Sequence, residues 1–334
     1  MRTRPLLRTW CAALAIVAAA LAWPRPCPAD VATTHPFAGV THVKRTEALP
    51  RPLRMHVVLV DLGAPGIRFL VTPPSGPLET VKETTRAFLE REHAQVALNL
   101  HYFEPWPPPK PDTGAVDLVG LAASEGRVYS AFDANPPKPF AIHANAAGLN
   151  IDANNHATIV HRNPADPSGR TVTEPVTLWN ALAGNEEILA GGVNVASTGA
   201  WDRTLNPHTV IGLAPRRVLV LFTVDGRQPG ASDGMTTSEV ADLLSRDYGV
   251  TDALNLDGGG STTLCLADPV PRVVNVPVGL GAPGTERPVG SNLAVFARPP
   301  AVVPGHLPAV GVGAACVIVV GLAALAVVRR RRKG

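Results

Sequence analysis

Two apolar runs, RVLVLFTV (217–224) and DALNL (252–256), enclose one amphipathic segment. Thr236-Thr237-Ser238-Glu239 has the Thr-x-x-Glu form of a capping box, in which each side chain satisfies the other's backbone N–H. Val240, Leu243, Leu244 and Tyr248 follow at helical spacing, and Gly249 stands where a helix-ending glycine belongs. Strand, helix and strand in so short a stretch predict a β-α-β unit with its strands side by side and parallel. Such units gather their sites at the carboxyl ends of the strands. Those ends read Asp225-Gly226-Arg227 and Asp257-Gly258-Gly259-Gly260-Ser261-Thr262, so both aspartates are predicted on one rim.

Elsewhere short β-like runs dominate: MHVVLVDL (55–62), IRFLVT (67–72), AQVALNL (94–100) and NLAVFA (292–297). Thr80-Val81-Lys82-Glu83, followed by Ala87 and Phe88, predicts a second capped helix. With 34 prolines and 30 glycines in 334 residues, these breakers exceed the ordinary share of about 12% but not the level of a low-complexity chain. No internal repeat is apparent. The expected class is α+β, a single loop-rich domain with mixed β-sheets and few helices.

The ends read as addresses. Arginines precede an apolar run from Trp10 to Trp23, then small residues and prolines, which is the layout of a signal peptide over 1–29. Residues 30–53 read as a lead-in, 54–298 as the globular domain, and PPAVVPGHLP as a stiff linker over 299–308. Residues 309–328 are uncharged and apolar, long enough at ~1.5 Å per residue to cross a bilayer as a helix, and the basic tail 329–334 should stay cytoplasmic. The domain is thus expected outside the cell, held to the membrane by a single C-terminal pass, although a tail of this layout also resembles bacterial C-terminal sorting signals, which are cut and replaced. Four basic residues before position 30 and five after 299, with no acid in either stretch, leave 21 basic against 27 acidic residues between them. That acidic middle argues against nucleic acid as a partner. Cys11 falls in the leader and Cys316 in the tail helix, so Cys265, with at most Cys27 near the leader's end, remains, too few for a disulfide framework or a cysteine zinc site.

The strongest chemical signal is the glycine run. Gly258, Gly259 and Gly260 after a buried strand allow positive φ, close approach of a ligand, and an anion-binding nest of N–H groups. Ser261, Thr262 and Thr263 add hydroxyls suited to phosphate or sugar oxygens. No Gly-Lys-Ser/Thr follows, so this is not a P-loop. Arg227 suits bidentate contact with phosphate. Ser232 lies in a small polar turn, Gly230–Gly234, leading into the predicted helix N-terminus.

As a set, FTVDGRQPGASDGMTTSEVADLLSRDYGVTDALNLDGGGSTTL (222–264) resembles the signature of the phosphodiester glycosidase family. ALNLHYFEP (97–105) resembles that family's early segment through Asn99 and Phe103. ILAGGVNV (188–195), PHTVIGL (207–213) and GTERPVGSNLAVFA (284–297) resemble further blocks, so the likeness spans roughly 55–298. The resemblance implies a hydrolase that cleaves a sugar from phosphate at its anomeric carbon. It implies an anion site, a carboxylate for an oxocarbenium-like transition state, and groups that orient the sugar. Asp257 and Asp225 are the expected carboxylates, with Glu104 in reserve. The Gly-rich turn, Arg227 and Arg287 fit the phosphate, and Asn99 and Asn255 the sugar hydroxyls. His208 stands where the family usually has arginine, and His101 where it has glycine, departures that point to a different substrate or reduced activity if both positions contact it.

No cofactor is certain. Asp-rich sites could take Ca²⁺ or Mg²⁺, and no His/Asp cluster with zinc spacing is present. Three readings are carried forward. The first is a membrane-tethered phosphodiester glycosidase acting on an envelope or exopolysaccharide glycan phosphate. The second is a non-catalytic glycan-binding protein on the same fold. The third is a metal phosphodiesterase that breaks the P–O bond.

Overall fold

The computed structural model describes residues 29–108, 113–132, 142–199 and 202–300. The largest sheet has eight strands, in the spatial order Asp30–Phe37, Val40–Glu47, Leu53–Asp61, Val218–Val224, His208–Ala214, Asp252–Asn255, Glu186–Ala190 and Val193–Asn194. Every neighbouring pair in it is antiparallel. A five-stranded sheet holds Arg68–Val71, Val96–Asn99, Leu264–Ala267, Pro271–Val273 and Asn292–Phe296. A second holds Ala122–Ser124, Arg127–Ser130, Gly148–Ile151, Ala157–Val160 and Asn180–Ala183. The result is a mostly β, loop-rich single domain with two α-helices among the described residues, α1 (Thr85–Glu92) and α2 (Thr237–Tyr248).

Alternation across the pleat explains why VLVLF (218–222) is apolar throughout. Leu219 and Leu221 face one core with Val58, Ile211 and Leu254, packed against Val96, Leu98 and Leu293 of the second sheet and Leu149 and Leu182 of the third. Val220, Phe222 and Val224 face the other side, where α2 presents Val240, Ala241 and Leu244. Both faces are covered, so the strand lacks the polar–apolar alternation of a half-exposed strand over 218–222.

The expected helix at α2 forms as predicted. Thr236 is its N-cap with the reciprocal Glu239 contacts in place, and Gly249 closes it at φ 65°. Two expectations are corrected. The runs 217–224 and 252–256 point the same way but are not neighbours, because His208–Ala214 lies between them, antiparallel to both. A hairpin formed locally with Val218–Val224 takes the edge that a parallel partner would need, so the sheets are antiparallel rather than mixed. The first helix begins at Thr84, not Thr80. Thr80-Val81, the β-branched pair, joins Ala115-Val116 as a short strand instead.

Residues 30–47, read as part of a lead-in, form the outer hairpin of the large sheet. The expected leader, membrane helix and basic tail lie outside the described residues, apart from Ala29. Among the described residues no helix is long and apolar enough to cross a membrane.

Candidate active site

Because Val218–Val224 and Asp252–Asn255 run in the same direction, Asp225 and Asp257 do leave the sheet on one side. Their surroundings then differ. Asp257 opens into a cavity of about 310 Å³, lined also by Tyr102, Trp106, Glu186, Asn206, Arg227 and Arg287. That volume is at the lower end of small-molecule sites. Asp225 does not line it.

Asp257 is buried, and its Oδ2 has no hydrogen-bond partner. Burial pushes its carboxyl up to about 6, against the pull of Arg287, a Ser261 hydrogen bond and Arg227. Arg287 Nη2 lies 3.9 Å from that free oxygen, its guanidinium bonds Ser261 Oγ, and its carbon sits 4.4 Å above the Trp106 ring. Arg227, at φ 58°, reaches in from the other strand end and donates twice to Asn206 Oδ1, at 3.1 and 2.9 Å. Its guanidinium is held below the usual arginine range by burial and by the positive charge of Arg287. Two cations that destabilise each other at the mouth of one cavity make a site that an anion relieves.

The glycines make room for those cations. Within the run, Gly259 alone has positive φ, at 59°. A Cβ there would lie 3.0 Å from Arg227 Nη2, one on Gly260 would lie 3.1 Å from Arg287 Nη1, and one on Gly258 would lie 2.8 Å from Pro207 O. The N–H groups of Gly259, Ser261 and Thr262 are spent on Pro207 O, Gly258 O and Gly259 O. The turn is thus packed between two guanidiniums, and the positive charge at this end of the cavity comes from side chains.

Several expected site residues support the turn from behind. Asn99 Nδ2 donates to Asp257 O at 2.6 Å, and its Oδ1 accepts from Thr209 Oγ1 and Thr263 N. Asp225 accepts from Asn275 Nδ2 and Val276 N, each at 3.0 Å, and pairs with Arg54 at 3.3 Å. Burial pushes its carboxyl up, and those same donors oppose the rise. Asn275 also donates to Thr262 O, so Asp225 acts on the glycine turn at second hand. Ser232 Oγ donates to Asp225 O and accepts from Arg54 N. Thr262 is buried and does not line the cavity, and Glu104 lies in a different depression beside Asp117 and Arg170. The pairing of Asp225 with Asp257 as twin catalytic carboxylates is therefore corrected to one cavity carboxylate and one scaffold carboxylate.

The two histidines also part company. His208 lines the cavity and is buried, with Nε2 donating to Met235 O at 2.9 Å and Nδ1 lying 3.0 Å from Asn255 Oδ1. Burial holds its imidazole below the usual range, which opposes a positive charge where the family is expected to have arginine. His101 is in the core. It touches Ser291 Oγ, Leu121 O and Ala183 N, and burial lowers it to about 4. That imidazole is a cross-tie between strands and loops and does not line the cavity.

Sequence reasoning missed Tyr102, Trp106, Glu186, Asp202 and Asn206. Tyr102 stands within the quoted early segment, and it shares hydrogen bonds with the Asn255 side chain and the Gly258 backbone. Glu186 is register partner to Asn255 across the sheet, with nothing in its local sequence to mark it. The acidic pair Glu186 and Asp202 meets His143 at the cavity wall, a grouping of the residue types that bind metals.

Residues 118–296 match the family model described as phosphodiester glycosidase, and the chain belongs to that family. It is accordingly a hydrolase of the phosphodiester glycosidase type. Its fold is similar to the catalytic domain of zebrafish N-acetylglucosamine-1-phosphodiester alpha-N-acetylglucosaminidase, auto-inhibited by its pro-peptide in that structure. The match has TM-score 0.56 and 18% identity, and covers 81% of this chain and 88% of that one. A Burkholderia pseudomallei protein matches at TM-score 0.54 and 14% identity, over 80% of this chain and 96% of that one. A Synechocystis protein matches at 0.51 and 13%, over 80% and 64%. No curated protein matches the chain in sequence.

Proposed function

We propose that this hydrolase cleaves the bond between a sugar's anomeric carbon and phosphate in a glycan of the cell envelope or an exopolysaccharide, with Asp257 as the reacting carboxylate. The observation that carries the reading is the buried Oδ2 of Asp257, unpartnered and 3.9 Å from Arg287 in the cavity. In the reaction, the C1–O bond to phosphate breaks as an oxygen from water becomes bonded to C1. The electron pair of the broken bond stays on the phosphate, which Arg227 and Arg287 hold as it gains charge. Phosphate is a good leaving group, so this site needs less general-acid help than an ordinary glycosidase. The Asp257 carboxylate stabilises the cationic sugar, and a proton from water ends on a base in the cavity. Asn255, His208 and Tyr102 supply polar contacts for the sugar.

The leader-like start and the apolar, arginine-ended tail of the sequence support a place outside the cytoplasmic membrane. Hydrolysis of a sugar-1-phosphodiester in heavy-oxygen water tests the chemistry. Label in the released sugar is expected. Label in the phosphate would mean P–O cleavage and would overturn the assignment, and binding without turnover across a panel of such substrates would favour the non-catalytic reading.

A further inference from the structure

We propose that His143, Glu186 and Asp202 form a binding site for a first-row divalent cation, of the Zn²⁺ or Mn²⁺ kind, in the wall of the cavity that holds Asp257. These three residues come from a loop, a strand of the large sheet and a second loop, and their ligand atoms all lie within 4.8 Å of one another. His143 Nε2 is 3.4 Å from Asp202 Oδ1 and 4.0 Å from Glu186 Oε2. Ligands at ~2.1 Å from a tetrahedral cation stand about 3.4 Å apart, so little movement is needed to close on one.

The site is more than a meeting of acids. Glu186 is 0% exposed, and its Oε2 has no hydrogen-bond partner. The Nε2 of His143 is likewise buried and unbonded. A buried carboxylate oxygen with no donor is costly, and native interiors rarely tolerate one without an ion or water to meet it.

Ser197 sorts the remaining oxygens. Its N–H donates to Glu186 Oε1, and its hydroxyl donates to Asp202 Oδ2 at 2.7 Å. One residue therefore occupies one oxygen of each carboxylate and leaves the other pair aimed at the imidazole, as partners outside a coordination sphere commonly do. The loop bearing His143 is fixed to the strand, since His143 N donates to Asn185 O at 2.9 Å.

A protonated His143 bridging the two acids is the competing account. It leaves Glu186 Oε2 without a donor, because Nε2 makes no hydrogen bond to either carboxylate. Two carboxylates balance a divalent charge, and one imidazole nitrogen among the ligands favours Zn²⁺ or Mn²⁺ over the all-oxygen preference of Ca²⁺ and Mg²⁺. Glu186 and Asp202 line the same cavity as Asp257, so the open coordination positions face whatever enters it. Cation binding does not depend on the glycosidase reading and is measured without turnover.

The purified full chain is stripped with a chelator, dialysed against Zn²⁺ and in parallel Mn²⁺, and its bound metal counted by mass spectrometry. One cation per chain is expected. Glu186→Gln and Asp202→Asn should each weaken binding by on the order of 100-fold, with thermal unfolding of the metal-free proteins no lower than that of the parent. Failure of the parent to retain stoichiometric metal, or equal retention by both variants, would overturn the proposal. Should Glu186→Gln fail to fold, Asp202→Asn and His143→Ala carry the same test, because both alter the more exposed side of the site.

Discussion

Asp225 and Asp257 occupy equivalent places: each follows an apolar strand, precedes a glycine, leaves the same sheet on the same side and is buried. Around Asp225, an asparagine, a backbone N–H and an arginine meet the carboxylate, and the cavity that holds Asp257 does not include it. Around Asp257, one buried oxygen is left without a hydrogen-bond partner, beside a cavity that two guanidiniums also line. Burial raises both carboxyls, so the shift alone does not mark the reacting group. The difference lies in whether the surrounding protein has finished satisfying the charge. A completed carboxylate holds the fold, whereas an incomplete one beside a cavity awaits a ligand.

Substitution of the bare carboxylate should give the largest effect. Asp257→Asn is expected to lower kcat by about 10³-fold or more. In the parent, kcat/KM should rise as pH passes about 6, where Asp257 ionises, and that limb should vanish in the variant. The stability effect has the opposite sign. The folded chain holds the Asp257 proton more tightly than the unfolded chain, so this group's contribution is complete below the usual carboxylate range and is lost as pH rises through about 6. Above that, Asp257→Asn should be more stable by up to about 3 kcal/mol, and no more stable at pH 4. Denaturant titrations at the two pH values check this. A variant less stable than the parent at pH 8 would erase the contrast between the two aspartates.

At the completed carboxylate the order reverses. Asp225→Ala strands Asn275 Nδ2 and Val276 N without their acceptor, at a cost of about 2 kcal/mol. Its kcat, measured below the unfolding transition, should fall less than that of Asp257→Asn. An equal loss of turnover with unchanged stability would place Asp225 at the chemistry after all. The smallest effect is expected from Gly259→Ala. Its positive φ and the 3.0 Å approach to Arg227 Nη2 should cost about 1 kcal/mol of stability, with KM raised more than kcat is lowered as the guanidinium is displaced. Steady-state kinetics separate the two parameters.

Much of this was legible in the sequence, and the limits have physical causes. The strand runs and α2 could be read because their signals are local: continuous apolar residues for a strand covered on both faces, and a capping box with a terminal glycine. Thr80 carries the capping-box pattern, yet the helix is capped by Thr84, because Thr80-Val81 pairs with Ala115-Val116, distant in sequence. Asp225 and Asp257 look alike in sequence because Asn275 and Arg54, which separate them, come from other elements. Glu186, Asp202 and His143 share no spacing at all, and only the sheet register that sets Glu186 opposite Asn255 brings them to the cavity.

The stacking of Arg287 on Trp106 has an optical corollary. The indole is 38% exposed and lies 4.4 Å from the guanidinium carbon, so a phosphate that draws on that cation alters the electric field across the ring. Occupancy of the cleft is thereby written into the emission of one tryptophan, giving the molecule a native fluorophore for titrating uncoloured glycans.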